Sequence, residues 1–207
     1  PWGETIDHAE VEEFLRRSPD IAWLWAVHCE TSTGILNDIE TLKQHCRERG
    51  ALLCLDCCSS LGTVPLDLDG VYLASSVSGK GLSSYAGLAL VFYHHDVEPS
   101  SDLPRYLDLG LYAEKKGVPF THSSNLVYGL KNSLQRFANQ EVFTRLAEFH
   151  QWLRQELEHH GFTVLGTDGE PAPGIITVAL PERCDSLKIG EALDEAGFLL
   201  NYRSNYL

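Results

Sequence analysis

The chain has 207 residues, and its 16 Lys and Arg against 29 Asp and Glu give a formal net charge of −13. This acidic balance excludes a generic binder of polyanions, which needs a basic surplus to neutralise phosphates. No apolar run approaches the ~20 residues of a membrane-spanning helix, and the N-terminus lacks the pattern of a secretory signal, so we expect a cytoplasmic protein. The chain begins with Pro1 and contains no Met, which indicates a piece of a longer protein.

Alternating helix and strand patterns fill the first part of the chain. An acidic, helix-periodic segment at residues 7–17 is followed by an apolar run at 21–27, which predicts a strand buried on both faces. An amphipathic helix over 36–49 ends at Gly50, a C-cap residue, and a second buried strand follows at 51–55. Strand, helix and strand in this order predict a parallel pair with a crossover.

Two more strands, a long loop and a helical region complete the prediction. The strands lie at 71–75 and 85–93, and the Pro-, Asp- and Gly-rich stretch 94–121 is typical of a long functional loop. One helical pattern runs over 125–160 and stops at Gly161. Shorter elements follow, with strands at 162–165 and 174–180 and a helix at 186–196. We therefore expect a large α/β domain over residues 1–135, and a linking helix with part of a small domain over 136–207.

Polar residues follow the predicted strands where ligands collect in open α/β sheets, outside the carboxyl ends. Asp56 comes directly after an apolar run, where an unpaired carboxylate would be costly, so it requires a cation. Lys80 lies in the Ser- and Gly-rich segment 75–84 (SSVSGKGLSS). A partly desolvated lysine in such a place attacks carbonyl groups, whereas the simpler alternative is an internal salt bridge with Asp56.

Six cysteines allow two interpretations. The spacing of Cys54 and Cys57 is formally a CxxC metal pair, but no second pair at ligand spacing follows it. In a cytoplasmic chain of this size we interpret the cysteines as small core residues, and we predict no metal site.

Three ordered segments resemble the class V, fold-type-I aminotransferases that use pyridoxal 5′-phosphate. They are residues 28–39 (HCETSTGILNDI), 55–62 (LDCCSSLG) and 75–80 (SSVSGK). Their motif residues Thr31, Asp56 and Lys80 stand 25 and 24 residues apart. Within this family the resemblance points to 2-aminoethylphosphonate:pyruvate and alanine:glyoxylate transaminases. It implies a mainly parallel sheet with helices on both faces, plus the start of a small α/β domain.

The resemblance also implies roles for individual residues. Lys80 would form a Schiff base with the cofactor and act as the catalytic general acid/base, and Asp56 would pair with the pyridinium nitrogen. Thr31 would bond near the phenolic oxygen or the phosphate-side edge of the ring. Cys58 would lie against one ring face, and Ser78 would lie close to the phosphate.

Thr121 resembles the position that reaches the phosphate of the neighbouring subunit's cofactor, which implies a homodimer with shared sites. The substrates would be a small amine donor, an aminophosphonate or amino acid, and a 2-oxo acid. The family's phosphate-binding glycine turn, ring-stacking aromatic residue and substrate-carboxylate arginine are expected outside this chain. Arg203 is a possible substitute for that arginine, with a solvated or dimer-contact role as the alternative.

Two other functions stay open at this point. One is a non-catalytic structural or interaction module that keeps the fold without the cofactor. The other is a lyase, desulfurase or racemase that keeps the cofactor but catalyses a different reaction.

Overall fold

A computed structural model describes residues 3–166, 169 and 171–199. Arg203 therefore lies outside the described residues. The helices are α1 (His8–Arg17), α2 (Ile39–Arg49), α3 (Leu109–Glu114), α4 (Ser124–Leu134), α5 (Glu141–His159) and α6 (Ser186–Glu195). The strands are β1 (Trp23–Val27), β2 (Cys29–Glu30), β3 (Ile35–Leu36), β4 (Leu52–Asp56), β5 (Leu73–Val77), β6 (Ala89–Phe92), β7 (Thr163–Val164) and β8 (Val178–Ala179).

The main sheet has the strand order β1-β4-β5-β6. Strands β1, β4 and β5 are parallel, as predicted, and β6 runs antiparallel to β5. The register pairs Val27 with Asp56 and Asp56 with Ser75. The carboxyl ends of three strands therefore lie side by side, and the loops that follow them start from the same edge of the sheet.

Helix α2 packs on one face of this sheet. Its apolar residues Leu42 and Cys46 belong to one buried cluster with Leu53, Leu55 and Ala74 of the strands. The helix begins where the Asp38 carboxylate accepts hydrogen bonds from the amides of the first turn, and it ends at Gly50 in the left-handed conformation, as predicted. Helix α1 packs against α2, with Asp7 as its N-cap.

The prediction that the first strand is buried on both faces is wrong. The alternate residues Leu24 and Ala26 point into the core, but Trp23 and Trp25 are 53% and 61% exposed. The side chains of a strand alternate between the two faces, and only one face of β1 is covered by helices in the described part of the chain.

The predicted helix over 125–160 is two helices. A short 3₁₀ turn at Gln135–Phe137 follows α4, and α5 begins only at Glu141. The Asn139 side chain accepts a hydrogen bond from the Glu141 amide, so it satisfies a helix-start donor that a continuous helix would have paired internally. Short strands β7 and β8 pair antiparallel beyond α5, and α6 confirms the last predicted helix.

The predicted start of α2 at residue 36 is also wrong, because Ile35–Leu36 pairs with Cys29–Glu30 as a small hairpin. The buried Asn37 lies between this hairpin and α2. Its amide nitrogen donates to the Val27 carbonyl, and its oxygen accepts from the Ile6 amide. None of the described helices is both long enough and apolar enough to cross a bilayer.

Candidate active site

Three loops leave the carboxyl ends of β1, β4 and β5 and meet above that edge of the sheet. Backbone hydrogen bonds continue beyond the strands, because the His28 amide donates to the Asp56 carbonyl at 2.9 Å and the Cys57 amide donates to the Ser75 carbonyl at 2.8 Å. The loops are therefore fixed relative to one another where they begin. This is the edge at which the sequence predicts a ligand site.

One hydroxyl connects the three loops. Ser59, in the loop after β4, has its Oγ 2.6 Å from Oγ1 of Thr31, in the loop after β1. The same Ser59 Oγ accepts a hydrogen bond from Nζ of Lys80, in the loop after β5, at 3.1 Å. Thr31 and Lys80 were predicted to share a site, and the structure brings them together through a serine to which sequence analysis assigned no role.

Asp56 lies at the end of β4 and is half-buried. Its Oδ1 accepts a hydrogen bond from the Cys58 amide at 2.8 Å, which fixes the carboxylate and the start of the following turn. The structure does not form the alternative, an internal salt bridge between Asp56 and Lys80, because the Lys80 amine donates to Ser59 instead. The second oxygen of Asp56 accepts no hydrogen bond from the described residues.

Lys80 is exposed, not partly desolvated as predicted. It lies between Gly79 and Gly81 in a turn, so neighbouring side chains of the same loop do not cover its stem. A solvent-accessible amine at the edge of a parallel sheet is available to react with a carbonyl compound from outside.

The remaining predicted residues occupy different surroundings. Cys58 is half-buried beside Asp56, and burial, reinforced by that carboxylate, raises the pKa of its thiol to about 11. Ser78 is completely buried, and its hydroxyl donates to the Tyr85 carbonyl and accepts from the Leu88 amide. Thr121 is exposed in the loop before α4 and bonds none of the other predicted site residues.

All six cysteines are free thiols. Cys29, Cys46, Cys54 and Cys57 are buried, which agrees with their interpretation as core residues, whereas Cys184 is exposed. Burial raises the pKa of Cys29 and of Cys57 to about 11, so both are protonated at neutral pH. Within the described ranges, no group of three or more His, Cys, Asp and Glu side chains is arranged to hold a metal ion.

Two glycines hold the Lys80 loop close to the loop after β4. Gly62 has φ +85°, and a Cβ at that position would lie 2.7 Å from the carbonyl carbon of Gly81 and 2.8 Å from the Leu82 nitrogen. On the other side of the loop, the Ser133 hydroxyl of α4 donates to the Leu82 carbonyl. The loop that carries Lys80 is therefore clamped between the β4 loop and α4. The clamp was not predicted from the sequence, although Gly62 and Gly81, in the segments 55–62 and 75–84, were its signal.

Together the mainly parallel sheet and an exposed lysine at its carboxyl edge define an α/β protein whose fold and site suit covalent chemistry on a carbonyl group. The comparisons identify the family. The family model for aminotransferase class-V matches residues 3–201, and the chain belongs to that family. Its members use pyridoxal phosphate.

Individual relatives agree with this assignment at moderate identity. The chain is 30% identical to a 2-aminoethylphosphonate–pyruvate transaminase of Burkholderia ambifaria, over 97% of this chain and 58% of the relative. It is 32% identical to a protein named soluble hydrogenase, small subunit, of Synechococcus, over 86% of this chain and 50% of the relative. The crystal structure of an alanine–glyoxylate aminotransferase from Nostoc superposes with a TM-score of 0.80 at 31% identity, covering 93% of this chain and 55% of that one. The chain thus spans about half the length of these relatives.

Proposed function

We propose that this protein is a pyridoxal-phosphate-dependent transaminase. It transfers an amino group from a small amine donor, an aminophosphonate or a small amino acid, to a 2-oxo acid. The observation that carries the proposal is the convergence of Thr31, Asp56 and Lys80 on one edge of the sheet, in a chain of the class V family. The names of the relatives support amine transfer as the reaction.

The residues present fit the cofactor. Lys80 offers an exposed amine that would hold it covalently, and Asp56 offers a fixed carboxylate whose second oxygen would face the protonated ring nitrogen. Thr31 would contribute a hydroxyl near the phenolic oxygen or the phosphate-side edge of the ring, and the half-buried Cys58 would contribute an uncharged surface for a ring face. When bound, pyridoxal phosphate supplies an electron sink for negative charge at the substrate Cα.

The chain's own groups then perform the acid/base work. The Lys80 amine would take and return a proton at Nζ. The Asp56 carboxylate would keep a bound ring nitrogen protonated, because a positive charge beside a carboxylate is stabilised. Ser78, whose hydroxyl is committed to two backbone groups, is assigned to the framework of its loop instead of direct contact with the phosphate.

The partners and location belong to the same proposal. We assign Thr121 to contact with the cofactor of a second subunit in a homodimer, and its exposure supports this role. The location that we propose is the cytoplasm. No interaction with membranes or nucleic acid is proposed, since the net charge of −13 gives no electrostatic basis for binding polyanions.

The test is spectroscopic. The protein is mixed with pyridoxal phosphate, its visible absorption is recorded before and after borohydride, and the trapped peptide is identified by mass spectrometry. We expect a band that Lys80→Ala abolishes and that Lys131→Ala, a control on the exposed face of α4, leaves intact. No band in the unaltered protein would favour the non-catalytic module. A band without nitrogen transfer to any 2-oxo acid would favour a lyase, desulfurase or racemase.

A further inference from the structure

Ser59 stands apart from the other hydroxyls at this edge of the sheet because two partners from different loops share its single oxygen. The Lys80 amine donates to it at 3.1 Å, and Thr31 Oγ1 lies 2.6 Å from it. An ammonium group has no acceptor, so Ser59 Oγ is the acceptor of the first bond. Its one proton remains available for Thr31.

We propose that Ser59 is a positioning residue that holds the Lys80 amine over the ends of β4 and β5 before the cofactor binds. This role rests on the proposed function, because the position of the Lys80 amine matters for its reaction with the cofactor. The hydroxyl chain from Lys80 through Ser59 to Thr31 fixes an otherwise flexible side chain at its charged tip. Each bond in such a chain polarises the next, which strengthens both.

The surroundings of Ser59 support a fixed hydroxyl. The residue is only 9% exposed, so water does not compete freely for its hydroxyl oxygen. Its backbone lies in a tight turn, in which the Ser60 and Leu61 amides donate to the Cys57 carbonyl at 3.3 and 2.9 Å. The hydroxyl is therefore presented to Lys80 by a rigid element, whereas the lysine stem is exposed and has four rotatable bonds that gain little from packing.

Ser60 provides a matched control. It is the adjacent residue, is completely buried and carries the same hydroxyl, but its Oγ lies 3.5 Å from the Cys57 carbonyl and bonds no lysine. Ser60→Ala removes the same atom from the same turn as Ser59→Ala. A difference between the two variants reports the contact with Lys80, because a general loss of packing or of turn stability is common to both.

The first readout needs no cofactor. The ¹⁵N relaxation of the Lys80 ammonium group gives an order parameter, with the signal assigned by its loss in Lys80→Ala. We expect a restrained amine in the unaltered protein and in Ser60→Ala, and an amine as mobile as that of exposed Lys131 in Ser59→Ala. Thr31→Val, at an exposed position, should give a smaller loss of order in the same direction. An amine equally ordered in Ser59→Ala and Ser60→Ala overturns the proposal.

The second readout is the rate at which the protein captures pyridoxal phosphate, followed by absorbance. We expect capture to slow about tenfold in Ser59→Ala, because a side chain that is no longer held must be ordered when the cofactor binds, and to be unchanged in Ser60→Ala. Capture by Ser59→Ala at the unaltered rate overturns the role in cofactor binding. If the unaltered protein captures none, the proposed function fails, while the order parameters still decide whether Ser59 positions Lys80.

Discussion

Gly62→Ala tests whether the close approach of two loops builds the site. A residue with a Cβ at φ +85° costs about 1–2 kcal/mol, partly offset by about 0.4–1 kcal/mol because alanine restricts the unfolded chain. The added Cβ would lie 2.7 and 2.8 Å from the carbonyl carbon and oxygen of Gly81. Those are backbone atoms and cannot rotate away, so overpacking adds about 1–3 kcal/mol. We expect the free energy of unfolding to fall by about 2–4 kcal/mol in total.

Gly50→Ala separates the cost of the backbone conformation from the cost of the steric clash. Gly50 also has a positive φ, +71°, but a Cβ there would meet nothing within 4 Å. Its substitution therefore carries the conformational cost alone, and we expect a loss of about 1 kcal/mol. Urea unfolding of both variants, followed by circular dichroism, gives the two free energies directly.

The same pair of variants has a functional readout. The clash in Gly62→Ala falls on the backbone next to Lys80, so the loop must move and capture of pyridoxal phosphate should weaken. Gly50→Ala changes the far end of α2 and should leave capture intact. If Gly62→Ala costs no more stability than Gly50→Ala, or binds the cofactor equally well, the close approach of the loops does not constrain the site.

Two further predictions concern the supports of the site. Burial, with the Lys43 charge adding to it, lowers the pKa of His28 below its usual 6.5. The unfolded state therefore binds more protons below that pH, and the free energy of unfolding falls as the pH drops through about 6.5. His28→Gln should make this fall, measured between about pH 7.5 and 5.5, shallower. An equal fall in the variant and the unaltered protein contradicts the prediction. Ser133→Ala removes the hydrogen bond from α4 to the Leu82 carbonyl, so the free energy of unfolding should fall by about 1–2 kcal/mol. Amide hydrogen exchange in residues 78–84 should become faster. Unchanged exchange would show that α4 does not hold the loop.

The order of elements was predictable because hydrophobic patterns and caps act locally. Gly50 ends α2 as expected, since only a residue tolerant of positive φ closes that helix without strain. The break before α5 was not predictable from periodicity, because the apolar spacing continues through it. A single side chain, Asn139, satisfies the new helix start, and such a bond leaves no periodic signal.

The exposure of β1 shows a different limit. An apolar run such as WLWAV indicates burial, but it does not say which contacts provide it. In the described residues, Leu24 and Ala26 meet the helices of this chain, while Trp23 and Trp25 meet no equivalent layer. The sequence pattern indicates how much apolar surface a strand has. Which elements cover that surface depends on the tertiary structure.

The candidate site was predictable in its parts but not in its connections. Thr31, Asp56 and Lys80 each follow a strand, so the parallel topology alone places them on one edge. The contact that joins Thr31 to Lys80 runs through Ser59, whose neighbour Ser60 carries the same hydroxyl in the same turn. Which of two adjacent serines faces the lysine depends on the turn geometry, and residue type does not reveal it.

The spacing of the motifs explains why a chain that spans about half of its relatives' length contains Thr31, Asp56 and Lys80 together. A crossover connection joins each parallel strand to the next, so the carboxyl ends of all these strands lie at the same edge of the sheet. The residues between Val27 and Lys80 contain three such ends, in the register Val27 with Asp56 and Asp56 with Ser75. A change that shifts this register would move the carboxylate and the amine relative to each other, whereas a change at Ser133 would act on the amine through the Leu82 carbonyl of its loop.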